Sequence, residues 1–382
     1  MDSQATAVFL RFFTGMKDPR RHNRRHLLSD ILTITILAMM CGSDDWPQVV
    51  EWAKARHAWL AEFLPLPSGL PGEDTFRRVL ARIDPLAFEQ CFQDWTRAVA
   101  ECSEGQVVSF DGKTMRGSFG CGKQGMTHLV SAWCTHNRLV LGQLAVEDKS
   151  NEIIAIPKLL ELLNLKGAIV TIDAMGCQRA IAQKIRQKEA DYVLAVKDNQ
   201  PALCQKMDAV MQDVILDLAK GLPVSCGYDE RTSGGHGRIE TRRVWVSDEV
   251  EALGPELLAQ WPDLRSMAVV ECHRRDLSDP GGKTSVHRRL FISSLAGCDA
   301  ARMARVVRAH WGVENGLHWR LDVSMGEDKS RQRAGHEAEN FSRVRRIVLN
   351  KLKIADPRKL SLKLKRYRCS IDPEHLQKIL QA

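Results

Sequence analysis

The chain has 382 residues, 44% of them apolar and 27% charged, with a net charge of +8. That is enough length for two or three domains around a sizeable core, and no low-complexity tract or internal repeat interrupts it. The 11 cysteines are an odd number set singly, with no C-x-x-C pair, which excludes a zinc knuckle and a disulfide framework and points to a reducing cytoplasm.

From the start to about residue 103 the pattern is helical. Residues 27–40 imitate a signal peptide, because Arg20, Arg21, Arg24 and Arg25 precede an apolar run. The run is too short to span a bilayer, and bulky Met39 and Met40 stand where cleavage wants small residues. A buried helix is expected instead, and no export signal. Residues 47–64 carry Val49, Val50, Ala53, His57 and Leu60 at helical spacing, with Pro47 at a permitted start. After a Pro/Gly-rich break, residues 73–83 and a helix bearing Phe88, Phe92 and Trp95 complete the region. Two helices across a short break fit a helix-turn-helix that presents Arg77 and Arg78 to DNA, or a plain helical bundle.

From residue 106 the pattern turns to α/β. Residues 107–111 form an apolar strand that ends on Asp111, and Asp-Gly then makes a tight turn. With Lys113 and Arg116 just beyond, Asp111 either starts a metal site facing a polyanion or merely starts the turn. Strands at 128–134 and 139–146 form a hairpin, and residues 151–163 an amphipathic helix. Residues 168–173 are a second apolar strand ending on an acid, Asp173, followed by a helix at 178–188 and a strand at 192–196. This order predicts a mixed five-stranded sheet with helical cover. Between about 200 and 298 a helix at 201–219 gives way to strands near 238–246, 267–272 and 288–293, a mainly β insertion. Gly234, Gly235 and Gly237 punctuate a loop that lacks the context of a phosphate loop. Trp245 alternates with Val244 and Val246 beside Arg242 and Arg243, so it is a core anchor or a base-stacking residue.

Residues 299–320 resume as helix, with His310, Glu314, His318 and Asp322 at successive intervals of four. On a regular helix these lie within about 120° of arc. Trp311 and Trp319 nearby predict a largely buried neighbourhood. Residues 329–368 hold 14 Lys plus Arg against the acids Glu337, Glu339 and Asp356, a net +11. Such a run is the footprint of a nucleic-acid binder or a solvated face.

Three acids therefore stand out, Asp111 and Asp173 at strand ends and Glu314 on a late helix. Hard oxygen ligands of this kind suit Mg²⁺ or Mn²⁺. Two such ions about 3.5–4 Å apart serve phosphodiester displacement. A zinc hydrolase built on His310, Glu314 and His318 lacks the H-E-x-x-H spacing.

The ordered set Phe110-Asp111-Gly112-Lys113, Lys149-Ser150-Asn151-Glu152-Ile153, Ile172-Asp173-Ala174, residues 192–200 (YVLAVKDNQ), residues 236–242 (HGRIETR), His310-Trp311-Gly312-Val313-Glu314-Asn315, Leu317-His318-Trp319, Glu339-Asn340-Phe341-Ser342 and Arg345-Arg346 resembles the DDE transposases of bacterial insertion sequences, in the branch of the H-repeat-associated proteins. The resemblance runs almost end to end. It implies a helical transposase-associated domain at 1–103, a ribonuclease-H-like catalytic domain at 104–345 with the β insertion inside it, and a basic C-terminal tail at 346–382. It further implies Asp111, Asp173 and Glu314 as a metal-binding triad for Mg²⁺ or Mn²⁺, two ions, in a cytoplasmic enzyme that cleaves element ends and joins them to target DNA, with a homodimer as the active complex and no membrane. Many relatives in the wider superfamily place Tyr, Arg and Lys seven before, four before and seven after the helix glutamate, where this chain has Val307, His310 and Leu321. His318, Arg320 and Lys197 are substitutes for gripping phosphate, and Lys113, Arg116, Arg238, Trp245 and Arg366 are further expected DNA contacts. Two rivals stand beside this reading: a nuclease of the same fold without strand transfer, and a catalytically silent DNA-binding remnant.

Overall fold

The computed structural model describes residues 7–21, 24–99, 104–118, 126–146, 152–235, 237–277 and 284–381. The chain divides into two compact units. The first is built from Met1–Glu101, Gly112–Ala155 and Glu314–Ala382, the second from Cys102–Asp111 and Ile156–Val313.

The first unit is a helical body around one buried helix, Glu337–Ile354, with 15 of its 18 residues buried. Its companions include Leu28–Met40, Glu73–Arg82 and Pro85–Val99. The apolar run at 27–40 is the buried helix the sequence predicts, with 11 of 13 residues inside. The helix expected at 47–64 is shorter, Trp46–Ala55, capped by the Asp45 carboxylate accepting from the Gln48 amide at 2.9 Å. Trp46 stacks on Phe76 at 5.9 Å and meets Phe341 of the central helix edge-on at 4.8 Å. A hairpin, with its two strands paired antiparallel, also belongs here, and Asn350 of the central helix brackets its second strand by bonding the Val140 amide and carbonyl.

The strands, in chain order, are β1 (Val107–Thr114), the hairpin β2 (His128–Cys134) and β3 (Leu139–Val146), β4 (Ile169–Ile172), β5 (Asp191–Val196), β6 (Cys226–Gly235), β7 (Arg238–Ser247), β8 (Ser266–Asp276) and β9 (Ser285–Ser293). In the second unit they run β1-β4-β5-β9-β8-β7-β6. The pairs β1–β4 and β4–β5 are parallel, and the rest of this run is antiparallel. The expected five-stranded sheet is thus too small. β9 pairs with β5, Leu194 against Ile292, so the strands between 200 and 298 extend the same sheet. β6 escapes sequence reading because an exposed edge strand needs no apolar alternation, and its sequence CGYDERTSGG shows none. Gly234 and Gly235, expected in a loop, close this strand.

One face of the sheet carries Ile169, Val193, Val244, Val246, Ala268, Val270 and Phe291. Ala300, Met303, Val306 and Val307 of the helix Ala300–His310 pack onto it and complete the core.

Candidate active site

The register of the parallel strands places the acids. Ser109, Thr171 and Val193 are partners in one row across β1, β4 and β5. Side chains two residues apart on a strand share a face. Asp111 and Asp173 stand two residues beyond Ser109 and Thr171, and Asp173 keeps an extended backbone (φ −65°, ψ 176°), so the alternation carries through to it. Both carboxylates therefore occupy the next row of the same face, just past the last residues paired between β1 and β4. Asp173 follows the end of β4, whereas β1 runs on through Asp111 to Thr114. The strand does not end on Asp111, and the Asp-Gly turn expected there is replaced by continuing strand.

Beneath them runs a hydroxyl chain that the sequence reading missed. The Thr171 hydroxyl donates to Ser109 Oγ at 3.0 Å, and His310 Nδ1 lies 3.0 Å from Thr171 Oγ1. With the threonine proton directed to Ser109, the imidazole donates from Nδ1, which leaves Nε2 as an acceptor. Burial holds the His310 pKa below its ordinary value, against the opposing pull of the Asp111 and Asp173 carboxylates. The signal was present in the sequence as a buried hydroxyl two residues before each acid, but its meaning depends on strand register.

The loop after Asp173 is tightly tied. Asp173 Oδ1 accepts from the amides of Met175 (3.1 Å) and Gly176 (3.4 Å). Asn199 donates to the carbonyl of Ala174 at 2.7 Å, and Gln200 donates to that of Cys177 at 2.9 Å. The segment Lys197-Asp198-Asn199-Gln200 thus fixes the carboxylate from behind, while Lys197 itself is exposed.

In the first unit, Glu314 is exposed and opens a π turn, Glu314–His318, that leads into the helix Trp319–Met325. The regular helix has already ended at His310, capped by Trp311. A π turn bonds i to i+5, so the four-residue spacing no longer keeps His310, Glu314, His318 and Asp322 on one stripe. Trp311 and Trp319 are 47% and 56% exposed, which corrects the expectation of a buried neighbourhood.

Two expected DNA contacts are engaged by partners within the first unit. Lys113 Nζ is engaged by the carboxylates of Asp322, Glu327 and Asp328, which makes it a tether within the first unit. Arg366 is buried, donating to the Met39 carbonyl at 3.0 Å and to Asp44 at 2.6 Å, and the basic stretch of 346–382 folds into helices rather than a free tail. Arg116 is exposed, 3.8 Å from Asp328. Arg238 is exposed at the start of β7, Arg320 is half-buried, and His318 is buried. Trp245 is half-buried, its ring 5.2 Å from that of Tyr228, on the opposite face of the strand from core residues Val244 and Val246. At Gly112, next to Asp111, a Cβ would press on the Glu152 carboxylate and the His128 ring, which are bonded to each other and would have to shift. Lys149, Ser150, Asn151 and His236 of the motifs lie outside the described residues.

No three His, Cys, Asp or Glu side chains among the described residues form a group able to hold a metal ion. The pair Asp111 and Asp173 nonetheless fits Mg²⁺, which is commonly held by one or two carboxylates together with water and substrate phosphates.

The family model described as Transposase DDE domain matches residues 103–351, and the model described as DDE_Tnp_1-associated matches residues 10–96. The chain is 39% identical to the Escherichia coli O157:H7 protein named "Putative transposase YncI", over 97% of this chain and 94% of that one. It is 36% identical to the "H repeat-associated putative transposase YhhI" of Escherichia coli K12, over 93% and 92%. It also matches the "Inactive transposase YbfQ" of the same strain, 32% identical over 15% of this chain and 68% of that one. Among solved structures, a piggyBac transposase synaptic complex with hairpin DNA aligns over 100% of this chain and 79% of that one, at a TM-score of 0.41 and 9% identity.

Proposed function

Since the chain belongs to the family of transposases with a DDE domain and its associated N-terminal domain, we propose that it binds the ends of its own element, cleaves them and joins the freed 3′-hydroxyl to target DNA. The observation that carries the proposal is the placement of Asp111 and Asp173 in one row of one sheet face, each just past the last paired residue of two adjacent parallel strands. Together with Glu314 they are the proposed triad on a ribonuclease-H-like core. Mg²⁺ or Mn²⁺, two ions, would supply Lewis-acid stabilisation of the charge that develops at the phosphorus oxygens. Asp173, anchored by the Met175 and Gly176 amides, keeps its carboxylate oriented without needing substrate to order it. The Ser109–Thr171–His310 chain sets the floor beneath both acids and fixes the imidazole tautomer.

The partners in this reading are double-stranded DNA, in the form of terminal inverted repeats and target, and a second copy of the chain, since two ends must be held together. The cytoplasm is the proposed compartment; no helix among the described residues is long and apolar enough to cross a membrane. Arg116, Lys197, Arg238, Arg320 and Trp245 are proposed DNA contacts.

The test is to incubate the purified chain and Mg²⁺ with a duplex carrying the inverted repeats that border its gene, together with a supercoiled target. Nicks at the repeat ends and joined products are expected, and Glu314→Gln should abolish both. End cleavage without joined products under all conditions would replace this reading with the nuclease; near-normal cleavage by Glu314→Gln would remove Glu314 from the triad.

A further inference from the structure

Arg289 is placed by register on the face of the acid pair, one row beyond it and with β5 between its strand and that of Asp173. On β9, Phe291 is the partner of Ala195, which lies two residues beyond Val193 in the row of Ser109 and Thr171. Phe291 therefore shares the row of Asp111 and Asp173. β9 runs antiparallel to β5, so Arg289 falls in the next row beyond the acids on the same face. Its partner on β8 is Val270, which pairs in turn with Val244 of β7, and both belong to the core of that face.

The environment of this arginine differs from that of its neighbour. Arg288 points to the opposite face by alternation and pairs with Asp208 at 3.2 Å. Arg289 is half-buried, and among the described residues its guanidinium makes no ion pair and no hydrogen bond. It lies instead over the ring of Trp311, 4.6 Å from the centroid, on the residue that follows His310. A guanidinium lying on an indole gives up none of its N–H groups, because the stack uses its faces and leaves the edges free. Trp311 is 47% exposed, an unusual position for an indole unless it supports something. A planar donor edge, with no protein acceptor, one row from two carboxylates, has the chemistry to grip an anion held at those carboxylates.

We infer that Arg289, held on the Trp311 ring, binds a backbone phosphate of the DNA end being processed at Asp111 and Asp173. The inference rests on the transposase reading. It supplies a cation from a strand, where the position four before Glu314 holds His310 in place of arginine.

The experiment measures binding, so that cleavage does not enter. A duplex carrying the bordering inverted repeat, already cut at its end, is titrated without divalent ion against wild type, Arg289→Ala, Arg289→Lys and Trp311→Ala. Uncharged methylphosphonate linkages are placed singly along the end. Arg289→Ala should weaken binding about tenfold. It should also flatten the salt dependence by about 0.9 in slope, the share of one phosphate. One methylphosphonate close to the cut should weaken wild type by the same factor and leave Arg289→Ala unaffected. Arg289→Lys and Trp311→Ala should lie between, since one loses the planar edge and the other its support. Thermal melting separates a folding defect from a direct grip on phosphate. Affinity, slope and methylphosphonate profile identical to wild type in Arg289→Ala would overturn the inference, as would a uniform loss accompanied by a lowered melting temperature. Failure of the wild-type chain to bind these repeats would overturn the transposase reading itself.

Discussion

The two units handle charge in opposite ways. In the helical unit, most buried charges meet an opposite one. Arg343, fully buried, bonds Glu89 at 2.7 Å and Glu339 at 3.1 Å, and Arg346 bonds Glu327 at 3.0 Å. In the sheet unit, ion pairs such as Arg288–Asp208 also occur, but two carboxylates share one row of a face, with Arg289, which has no ion pair among the described residues, in the next. Closed pairs satisfy each other and make a frame. Carboxylates gathered on one face give a cation a place to bind. Arg345 is one exception in the frame, fully buried over the Phe341 ring at 4.6 Å, its pKa held below the usual arginine range by burial.

The comparison breaks first at the acids. Asp111→Asn and Asp173→Asn should each lower end cleavage by about a thousandfold or more, equivalent to about 4 kcal/mol of transition-state stabilisation. Both should melt near the wild-type temperature, because Asn keeps the shape of each side chain and one acceptor oxygen. A clear loss of melting temperature in either would mean that these acids belong to the frame after all.

The reverse pattern is expected for Glu89→Ala, which leaves Arg343 buried without its main partner. Stability should fall by about 3–5 kcal/mol in denaturant titration. Replacing the pair together, Arg343→Met with Glu89→Leu, should recover most of the loss; no recovery would show that the pair is needed as such.

Glu327 sharpens the same point through pH. Burial raises its pKa, but Arg346, Lys113 and Arg345 outweigh that, and the carboxyl is held down from 4.5 to about 2. A depressed folded pKa means that the unfolded chain binds the proton first as pH falls. The stabilisation is full above pH 4.5 and is lost as pH drops towards 2. It amounts to about 3 kcal/mol. Glu327→Gln, though less stable at neutral pH, should show a flatter stability profile across that window; an unchanged acid limb would assign the loss to other carboxyls.

A smaller effect concerns the basic stretch near the C-terminus. Lys365 and Arg366 are buried and hydrogen-bonded, whereas Lys359 and Lys363 are exposed. Neutralising Lys359 and Lys363 should flatten the salt slope of DNA binding by about 0.9 for each phosphate they would otherwise neutralise, with the melt unchanged. An unchanged slope would leave this face to solvent. Smallest of all, Trp245→Ala should cost about 1 kcal/mol of stability through its packing on Tyr228. A much larger loss would make the indole a core anchor with nothing to spare for DNA.

What could be read in the sequence followed from local periodicity. The buried helix Leu28–Met40, the hairpin β2–β3 and the apolar strands leading to Asp111 and Asp173 declare themselves over a few residues, although the first of these strands runs on to Thr114 where a turn was expected. What could not be read depends on partners distant in the chain. Arg343, Arg345 and Arg346 look like part of a DNA-binding run until Glu89 and Glu327 are seen beside two of them. His310 was legible as a polar residue on a helix, but not as the end of a hydroxyl chain, because Ser109 and Thr171 meet only through the β1–β4 register. Arg289 was silent for the same reason, its position set by the β5–β9 pairing across the segment between them. The π turn was invisible because a regular helix was assumed through Glu314.

The interleaving of the two units has a consequence for how the chain is made. The helical unit takes its first pieces from the early part of the chain and its central helix, Glu337–Ile354, from near the end. During synthesis, the apolar helix Leu28–Met40 therefore emerges long before the helix that buries it has been translated. At about 5–20 residues per second, that exposure lasts tens of seconds. Newly made chains should depend on chaperones that shield apolar segments, and a gene copy that loses its last segment should yield a protein that aggregates rather than a smaller working one.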